Sequence, residues 1–125
     1  MSIIQGFLRY NRQTMLPEIG DEGQEKLKKA RVLVIGAGGL GCPILRYIAT
    51  AGVGYIGIID FDTIEIHNLH RQILYTENEI GQQKAIVAKE VVSRLNPLIE
   101  VTAITEKLTS ENASEVIKQY DIIVD

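Results

Sequence analysis

Val32-Leu33-Val34-Ile35, an uninterrupted apolar run, breaks directly into Gly36-Ala37-Gly38-Gly39-Leu40-Gly41, and an amphipathic segment follows without a gap. A short continuous apolar run bounded by glycine suits a strand covered on both faces, as strands of parallel sheets are. From about Gly39 to Ala51 the apolar residues Leu40, Ile44, Leu45 and Ile48 fall at helical spacing, and Gly52 is placed to stop the helix. Pro43 is tolerable there because it lies near the first turn, where its missing N–H has no helical partner to lose. A buried strand, a glycine-rich turn and a helix in this order confine the chain to α/β architectures.

The remainder keeps the same alternation. Tyr55 to Ile59 reads as a second buried strand ending at Asp60, and residues 61 to 80 form an irregular polar stretch longer than ordinary connections. The next helix runs from about Gln82 to Leu95, with Ala88, Val91, Val92 and Leu95 on one face and Asn96-Pro97 as its stop. Val101 and Ala103 alternate with polar residues in a third strand. Thr109 or Ser110 caps a helix with the stripe Ala113, Val116, Ile117 and Tyr120, and Ile122-Ile123-Val124 begins a fourth strand. The order β-α-β-α-β-α-β predicts a Rossmann-like, mainly parallel sheet with flanking helices. Residues 1–30 differ in character and are expected to form an N-terminal helical arm, leaving 31–125 as a nucleotide-binding domain. Within the arm, Asp21 and Gln24 have capping-box spacing, and Lys26, Lys28 and Lys29 suit a helix C-terminus. The pattern ends at Asp125, where such a fold presents its next functional loop, so the sequence is expected to be the N-terminal half of a longer unit.

Composition removes several classes of function. With 46% apolar and 23% charged residues in 125, the chain can build one core and is neither a disordered tail nor a coiled coil. Thirteen Lys and Arg against sixteen Asp and Glu give a net charge of −3, which disfavours a nucleic-acid surface. Cys42 is the single cysteine, so a disulfide framework is excluded and a reducing compartment is expected. No apolar run approaches the ~20 residues a membrane span requires, and no signal-peptide pattern opens the chain. A cytoplasmic protein without membrane partners is expected.

In the glycine loop, Gly36 would allow a tight turn, Gly38 a close backbone approach to phosphate, and Gly41 close packing of helix on strand. The free N–H groups and the helix dipole then face an anion. The plain alternative is a tight βα turn and nothing more. Asp60, 19 residues after Gly41, can accept hydrogen bonds from two ribose hydroxyls or can simply cap the following turn. Asp62 can support Asp60, support the turn or touch a ligand. To this point a dinucleotide and ATP fit equally. Asn68 and Arg71 lie in the long polar stretch, and Lys84 lies in the first turn of the next helix, where a cation opposes the dipole. Lys84 also falls on the apolar stripe, one turn before Ala88. It is either a lysine whose stem runs along the edge of the core or a phosphate ligand, and two cations with an amide suit a triphosphate. His67 and His70 make a poor metal site, since nothing nearby completes one. Cys42 reads as a small packing residue, and Arg9 and Arg12, within one turn, as a solvated face.

Taken together, Arg9-Tyr10-Asn11-Arg12-Gln13, the glycine loop with Cys42, Ala51-Gly52-Val53-Gly54, Asp60-Phe61-Asp62, Asn68-Leu69-His70-Arg71-Gln72 and Gly81-Gln82-Gln83-Lys84 strongly resemble the N-terminal half of the ThiF/MoeB/HesA adenylyltransferases, bacterial relatives of the ubiquitin-activating enzymes. The resemblance covers the chain from about Leu8 to Asp125. It implies ATP·Mg2+ as cosubstrate and adenylation of the C-terminal Gly-Gly carboxylate of a ubiquitin-like sulfur-carrier protein, in thiamine or molybdopterin synthesis. It further implies that Gly39 lies against the nucleotide, Asp60 holds the ribose, and Asn68, Arg71 and Lys84 hold the phosphates. Arg12 would reach into the partner subunit's ATP site, which implies a homodimer. Arg12, Arg71 and Lys84 are thus the expected catalytic cations.

His67 and His70 stand where better-known members carry Ser and Gln, and they are expected to be tolerated variants. The family's Cys-Thr-Asp-Asn-like segment, with its Mg-linked Asp, and its zinc-binding C-x-x-C pairs lie beyond Asp125, so little adenylation is expected of these residues alone. Two rival readings remain: the cofactor domain of an NAD-dependent oxidoreductase, and a non-catalytic half-module that binds nucleotide or a partner.

Overall fold

The computed structural model describes residues 9–10, 13–17, 19–39, 41–70 and 72–125. Helix α1 (Gly20–Lys29) precedes strand β1 (Arg31–Ile35), helix α2 (Gly41–Ala51) and strand β2 (Tyr55–Ile59). Two single 3-10 turns, Ile66–Asn68 and Glu77–Glu79, interrupt the long connection to α3 (Lys84–Leu95), after which come β3 (Glu100–Ile104), α4 (Ala113–Ile117) and β4 (Ile122–Val124). The expected alternation is borne out element by element, with helix starts shifted by two residues at α2 and α3.

All strands are parallel, in the order β3-β2-β1-β4. The chain therefore winds outward from β1 through β2 to β3 and then returns to the other side of β1. A crevice opens at such a reversal, beyond the carboxyl ends of the strands, and ligands of open α/β sheets bind there. The glycine loop leaves β1 at this place.

One face of the sheet presents Val32, Val34, Ile56, Ile58 and Val101 to Leu45 and Ala49 of α2 and to Ala85, Ala88 and Val92 of α3, all buried in one cluster. Alternate positions such as Leu33 and Ile59 are also buried, on the opposite face, which explains why the central strands β1 and β2 read as near-continuous apolar runs. Of the expected stripe of α3, Ala88 and Val92 are buried and Val91 and Leu95 partly so; Lys84, Ala85 and Val87 are buried too. In α2 the buried residues are Cys42, Leu45 and Ala49, with Ile44 and Ile48 packed at the margin; Leu40 lies outside the described residues.

Two expectations about the arm are corrected. Asp21 does not cap α1, which has no side-chain cap, and Gln24 donates its amide to the carbonyl oxygen of Ala51 at 3.1 Å instead. Nor are Arg9, Tyr10 and Gln13 simply solvated, although Arg9 is exposed. Arg9 donates to Leu95 O (3.2 Å), Gln13 to Ala51 O (2.8 Å), and the buried Asn96 donates both to Tyr10 Oη (2.6 Å) and to Ala49 O (2.7 Å). The last carbonyls of a helix have no partner within it. Here the ends of α2 and α3 take theirs from the arm and from Asn96. The expected cap of α4 is also corrected: its N-cap is Asn112, without a side-chain cap, and Thr109 instead closes the preceding turn, its hydroxyl accepting from Asn112 N–H at 3.4 Å while Asn112 Oδ1 accepts from Thr109 N–H at 2.8 Å.

Candidate nucleotide site

The glycine loop turns on Gly36, whose φ of 91° lies in the left-handed region. A Cβ on Gly41 would collide with the carbonyl oxygen of Gly36, so the close packing expected of this position is real. A Cβ on Gly38, by contrast, would meet nothing nearer than the Gln72 amide nitrogen at 3.7 Å. Gly38 is half-buried, and its only close neighbour there is at ordinary contact distance, so its backbone has room for an approaching group. Gly39, beside it, is half-buried.

Between these glycines, Ala37 is fully buried and held at both ends of its backbone. Its N–H donates to Asp60 Oδ2 at 2.7 Å, and its carbonyl accepts from Tyr75 Oη at 2.6 Å and from Cys42 Sγ at 3.4 Å. Asp60 Oδ1 in turn accepts from Asp62 N–H at 2.7 Å. Asp60 therefore does what the plain alternative expected, supporting the turn, and also braces the glycine loop. Each carboxylate oxygen has accepted one protein hydrogen bond and keeps a lone pair, so both can still accept from a pair of ligand hydroxyls. Asp62 contributes backbone at both ends: its N–H goes to Asp60, its carbonyl accepts from Lys84 N–H at 3.0 Å, and its side chain is exposed.

The long connection is irregular but closed at its base. Thr63 pairs with Gln83 in an antiparallel bridge, Ile64 N–H donates to Gln82 O (2.9 Å), and Gly81 N–H to Ile64 O (2.8 Å). Ile64, Leu74 and Tyr75 are buried and anchor the loop on the core. Asn68, only 6% exposed, spends its side-chain oxygen on Glu65 N–H at 3.3 Å; its amide nitrogen has no hydrogen bond among the described residues. Lys84 is 7% exposed and forms no ion pair among the described residues. Its charge reaches the first turn of α2, where it favours the Cys42 thiolate. Arg12 and Arg71 lie outside the described residues.

Cys42 is packing material, as expected. Burial outweighs the neighbouring Lys84 charge and pushes its thiol up. Tyr75 is pushed up further, first by burial and then by Cys42. His67 is exposed beside Glu65 (3.2 Å), and His70 is exposed. Among the described residues, no three His, Cys, Asp or Glu side chains converge on a metal position.

Sequence reasoning missed Tyr75 and Gln72. Ile73-Leu74-Tyr75 is an apolar run of three in a polar stretch and could have marked an anchor. A glutamine in such a stretch carries no signal of burial, yet Gln72 is 2% exposed. The glycine loop, the braced carboxylate of Asp60, the unpaired cation of Lys84 and the amide of Asn68 are groups that suit a sugar bearing phosphates.

Comparison with known proteins adds identity to this chemistry. Residues 10–125 match the ThiF family. The chain is 53% identical to the sulfur carrier protein adenylyltransferase of Thermus thermophilus, over 94% of its own length and 43% of that protein's. It is 55% identical to the adenylyltransferase and sulfurtransferase MOCS3 of Culex quinquefasciatus, over 94% of its length and 27% of that protein's. The solved structure of the E. coli tRNA N6-threonylcarbamoyladenosine dehydratase TcdA in complex with ATP superposes with a TM-score of 0.87 at 27% identity, covering 94% of this chain and 48% of that one. The chain thus spans less than half the length of each of these proteins.

Proposed function

The chain belongs to the ThiF family, and from that premise we propose that it is the nucleotide-binding part of an ATP-dependent adenylyltransferase. Its substrate is the C-terminal Gly-Gly carboxylate of a ubiquitin-like sulfur-carrier protein, in thiamine or molybdopterin synthesis. In the reaction a carboxylate oxygen attacks the α-phosphorus of ATP, the bond to the bridging oxygen breaks, and pyrophosphate leaves with the electron pair. Two anions must meet for this to happen, so placed cations lower the barrier as charge builds.

In this proposal Gly36, Gly38, Gly39 and Gly41 form the phosphate cradle, Asp60 accepts the ribose hydroxyls, and Asp62 supports Asp60. Asn68, Arg71 and Lys84 hold the phosphates, Mg2+ accompanies them, and Arg12 serves the site of the other subunit of a homodimer. The arm, residues 1–30, would then be the part that crosses between subunits and 31–125 the part that binds ATP. A cytoplasmic setting fits this chemistry, and no helix among the described residues is long and apolar enough to cross a membrane.

The observation that carries the proposal is Lys84. Lys84, a residue only 7% exposed, sits on the buried side of its helix, is opposed by the helix dipole and has no carboxylate partner among the described residues, so its cation is placed against the preferences of the fold alone. A polyphosphate supplies the missing charge. A nicotinamide dinucleotide leaves Lys84 unexplained, and a purely structural half-module leaves it costly.

The test is carrier-dependent exchange of labelled pyrophosphate into ATP by the protein at its natural length, with calorimetric titration of ATP·Mg2+ and NAD alongside. Lys84→Met is expected to fold normally and to lower exchange by roughly 10²–10³-fold, the usual scale for one charge-stabilising donor. Tighter binding of NAD than of ATP, or exchange unaffected by Lys84→Met, refutes the proposal. Partner binding that survives Lys84→Ala, with no nucleotide dependence, would establish the half-module instead.

A further inference from the structure

Gln72 sits in the long connection, with its amide nitrogen 3.7 Å from where a side chain on Gly38 would begin. The residue is 2% exposed, and its side-chain oxygen is buried without a hydrogen-bond partner among the described residues. The amide nitrogen likewise makes no hydrogen bond among them. The backbone around it is fully engaged: Gln72 N–H donates to Asn68 O at 2.9 Å, and Tyr75 N–H donates to Gln72 O at 3.1 Å. The side chain thus lies directly beside Gly38 of the glycine loop, with neither of its polar atoms paired among the described residues. Buried polar groups are nearly always paired, and an orphan in a native fold calls for a reason.

We propose that Gln72 is a ligand-contacting residue, whose amide donates a hydrogen bond to a phosphoryl oxygen resting on Gly38. The inference rests on the nucleotide reading of the site and extends it to a residue of no charge. A bond from a neutral amide to a phosphate is charge-assisted and about twice as strong as a neutral pair. In this arrangement the amide nitrogen faces the ligand while the side-chain oxygen stays buried and unpaired, a cost that the bond to phosphate offsets. Without ligand the same group only destabilises the fold, so binding and stability should respond to its removal with opposite sign.

The experiment measures ATP affinity by calorimetry, and the melting temperature without ligand, for the natural-length protein and for Gln72→Leu and Gln72→Glu. Leucine keeps the bulk without the donor; glutamate keeps the shape but sets a carboxylate against phosphate. Gln72→Leu is expected to weaken ATP binding by about 10- to 100-fold while its ligand-free melting temperature stays level or rises. Gln72→Glu should bind ATP more weakly still. ATP affinity of Gln72→Leu within twofold of the parent overturns the inference, as does Gln72→Glu binding ATP as well as Gln72→Leu. That second order is what a merely structural role demands, because glutamate is the closer replacement in shape. A parent protein that binds no ATP at all refutes the nucleotide reading itself, and the role of Gln72 falls with it.

Discussion

Tyr75→Phe tests whether the glycine loop is held from below as its hydrogen bonds imply. The substitution removes one oxygen from a residue 5% exposed and leaves Ala37 O, its acceptor at 2.6 Å, inside the protein. Leaving a buried acceptor unmade costs about 1–3 kcal/mol. Cys42 Sγ still approaches that carbonyl at 3.4 Å, so the lower half of the range applies, about 1.5 kcal/mol. In urea, where the slope is about 1–3 kcal/mol per molar, the midpoint at pH 7 should fall by roughly 0.5–1.5 M. The pH dependence then separates this account from a generic packing loss. The phenol titrates near pH 10 in the unfolded chain, whereas burial raises it in the native state. Below about pH 10 both states hold the proton; above it the unfolded chain releases a proton that the native protein keeps, so wild-type stability falls by up to about 1.4 kcal/mol per pH unit. Phenylalanine has no such proton. The gap between wild type and variant, widest at neutral pH, should close by roughly pH 11. Cys42 titrates in both proteins and cancels to first order. Urea unfolding followed by circular dichroism from pH 7 to pH 11 reads both quantities. A variant as stable as wild type at pH 7, or a gap that does not change with pH, would refute the reasoning.

The two loop glycines should behave oppositely. Gly41→Ala sets a methyl group against the backbone oxygen of Gly36, which cannot swing aside, and should destabilise by about 2 kcal/mol or more in urea unfolding. Gly38→Ala meets only the Gln72 amide at 3.7 Å, so its urea midpoint should match wild type while its ATP affinity drops at least tenfold; a loss of stability equal to that of Gly41→Ala would contradict the open cradle. Asn96→Leu keeps the volume but withdraws the donor shared by Tyr10 Oη and Ala49 O, at a cost of about 1–3 kcal/mol. Limited proteolysis should then cut within residues 9–24 sooner than in wild type, and an unchanged digest would mean that the arm is held elsewhere.

The sheet was legible because its signals are local. Val32 to Ile35 and Tyr55 to Ile59 are apolar throughout because both faces of the sheet are covered, and a glycine or an aspartate ends each of them. The cradle was legible for the same reason: a strand, Gly36, Gly41 and a helix are contiguous. Lys84 could be found because it breaks two local rules at once, a cation at the positive end of a helix and on its apolar face. The capping box was misread because Asp21 and Gln24 carry the spacing without the geometry; Gln24 had a competing acceptor, Ala51 O, at the end of a helix 27 residues away. The arm was misread because an acceptor supplied by Leu95, 86 residues from Arg9, leaves no trace in the stretch it holds.

The same distinction explains why Tyr75 and Gln72 escaped notice while Asp60 did not. Asp60 occupies a place fixed by the strand that it ends, so its candidacy follows from counting. Tyr75 and Gln72 hang from a connection whose path is set by its closing bridge, Thr63 to Gln83, and by the burial of Ile64 and Leu74. Their meeting with Ala37 and Gly38 is a product of tertiary packing, 38 residues away in the case of Tyr75. Ala37 is the point where these elements converge: β1 delivers it, Asp60 at the end of β2 takes its N–H, and Tyr75 in the connection takes its carbonyl. A peptide held from two sides cannot rotate to meet a ligand. The glycines around it present their backbone in one orientation before anything binds, and such preorganisation is what an anion cradle requires if little ordering is to be left for the moment of binding. The long connection is therefore part of the site's construction, since Lys84 enters α3 from it through the hydrogen bond to Asp62 O. Loosening that connection by Tyr75→Phe should therefore weaken ATP binding in calorimetric titration, through Ala37 and the glycines beside it.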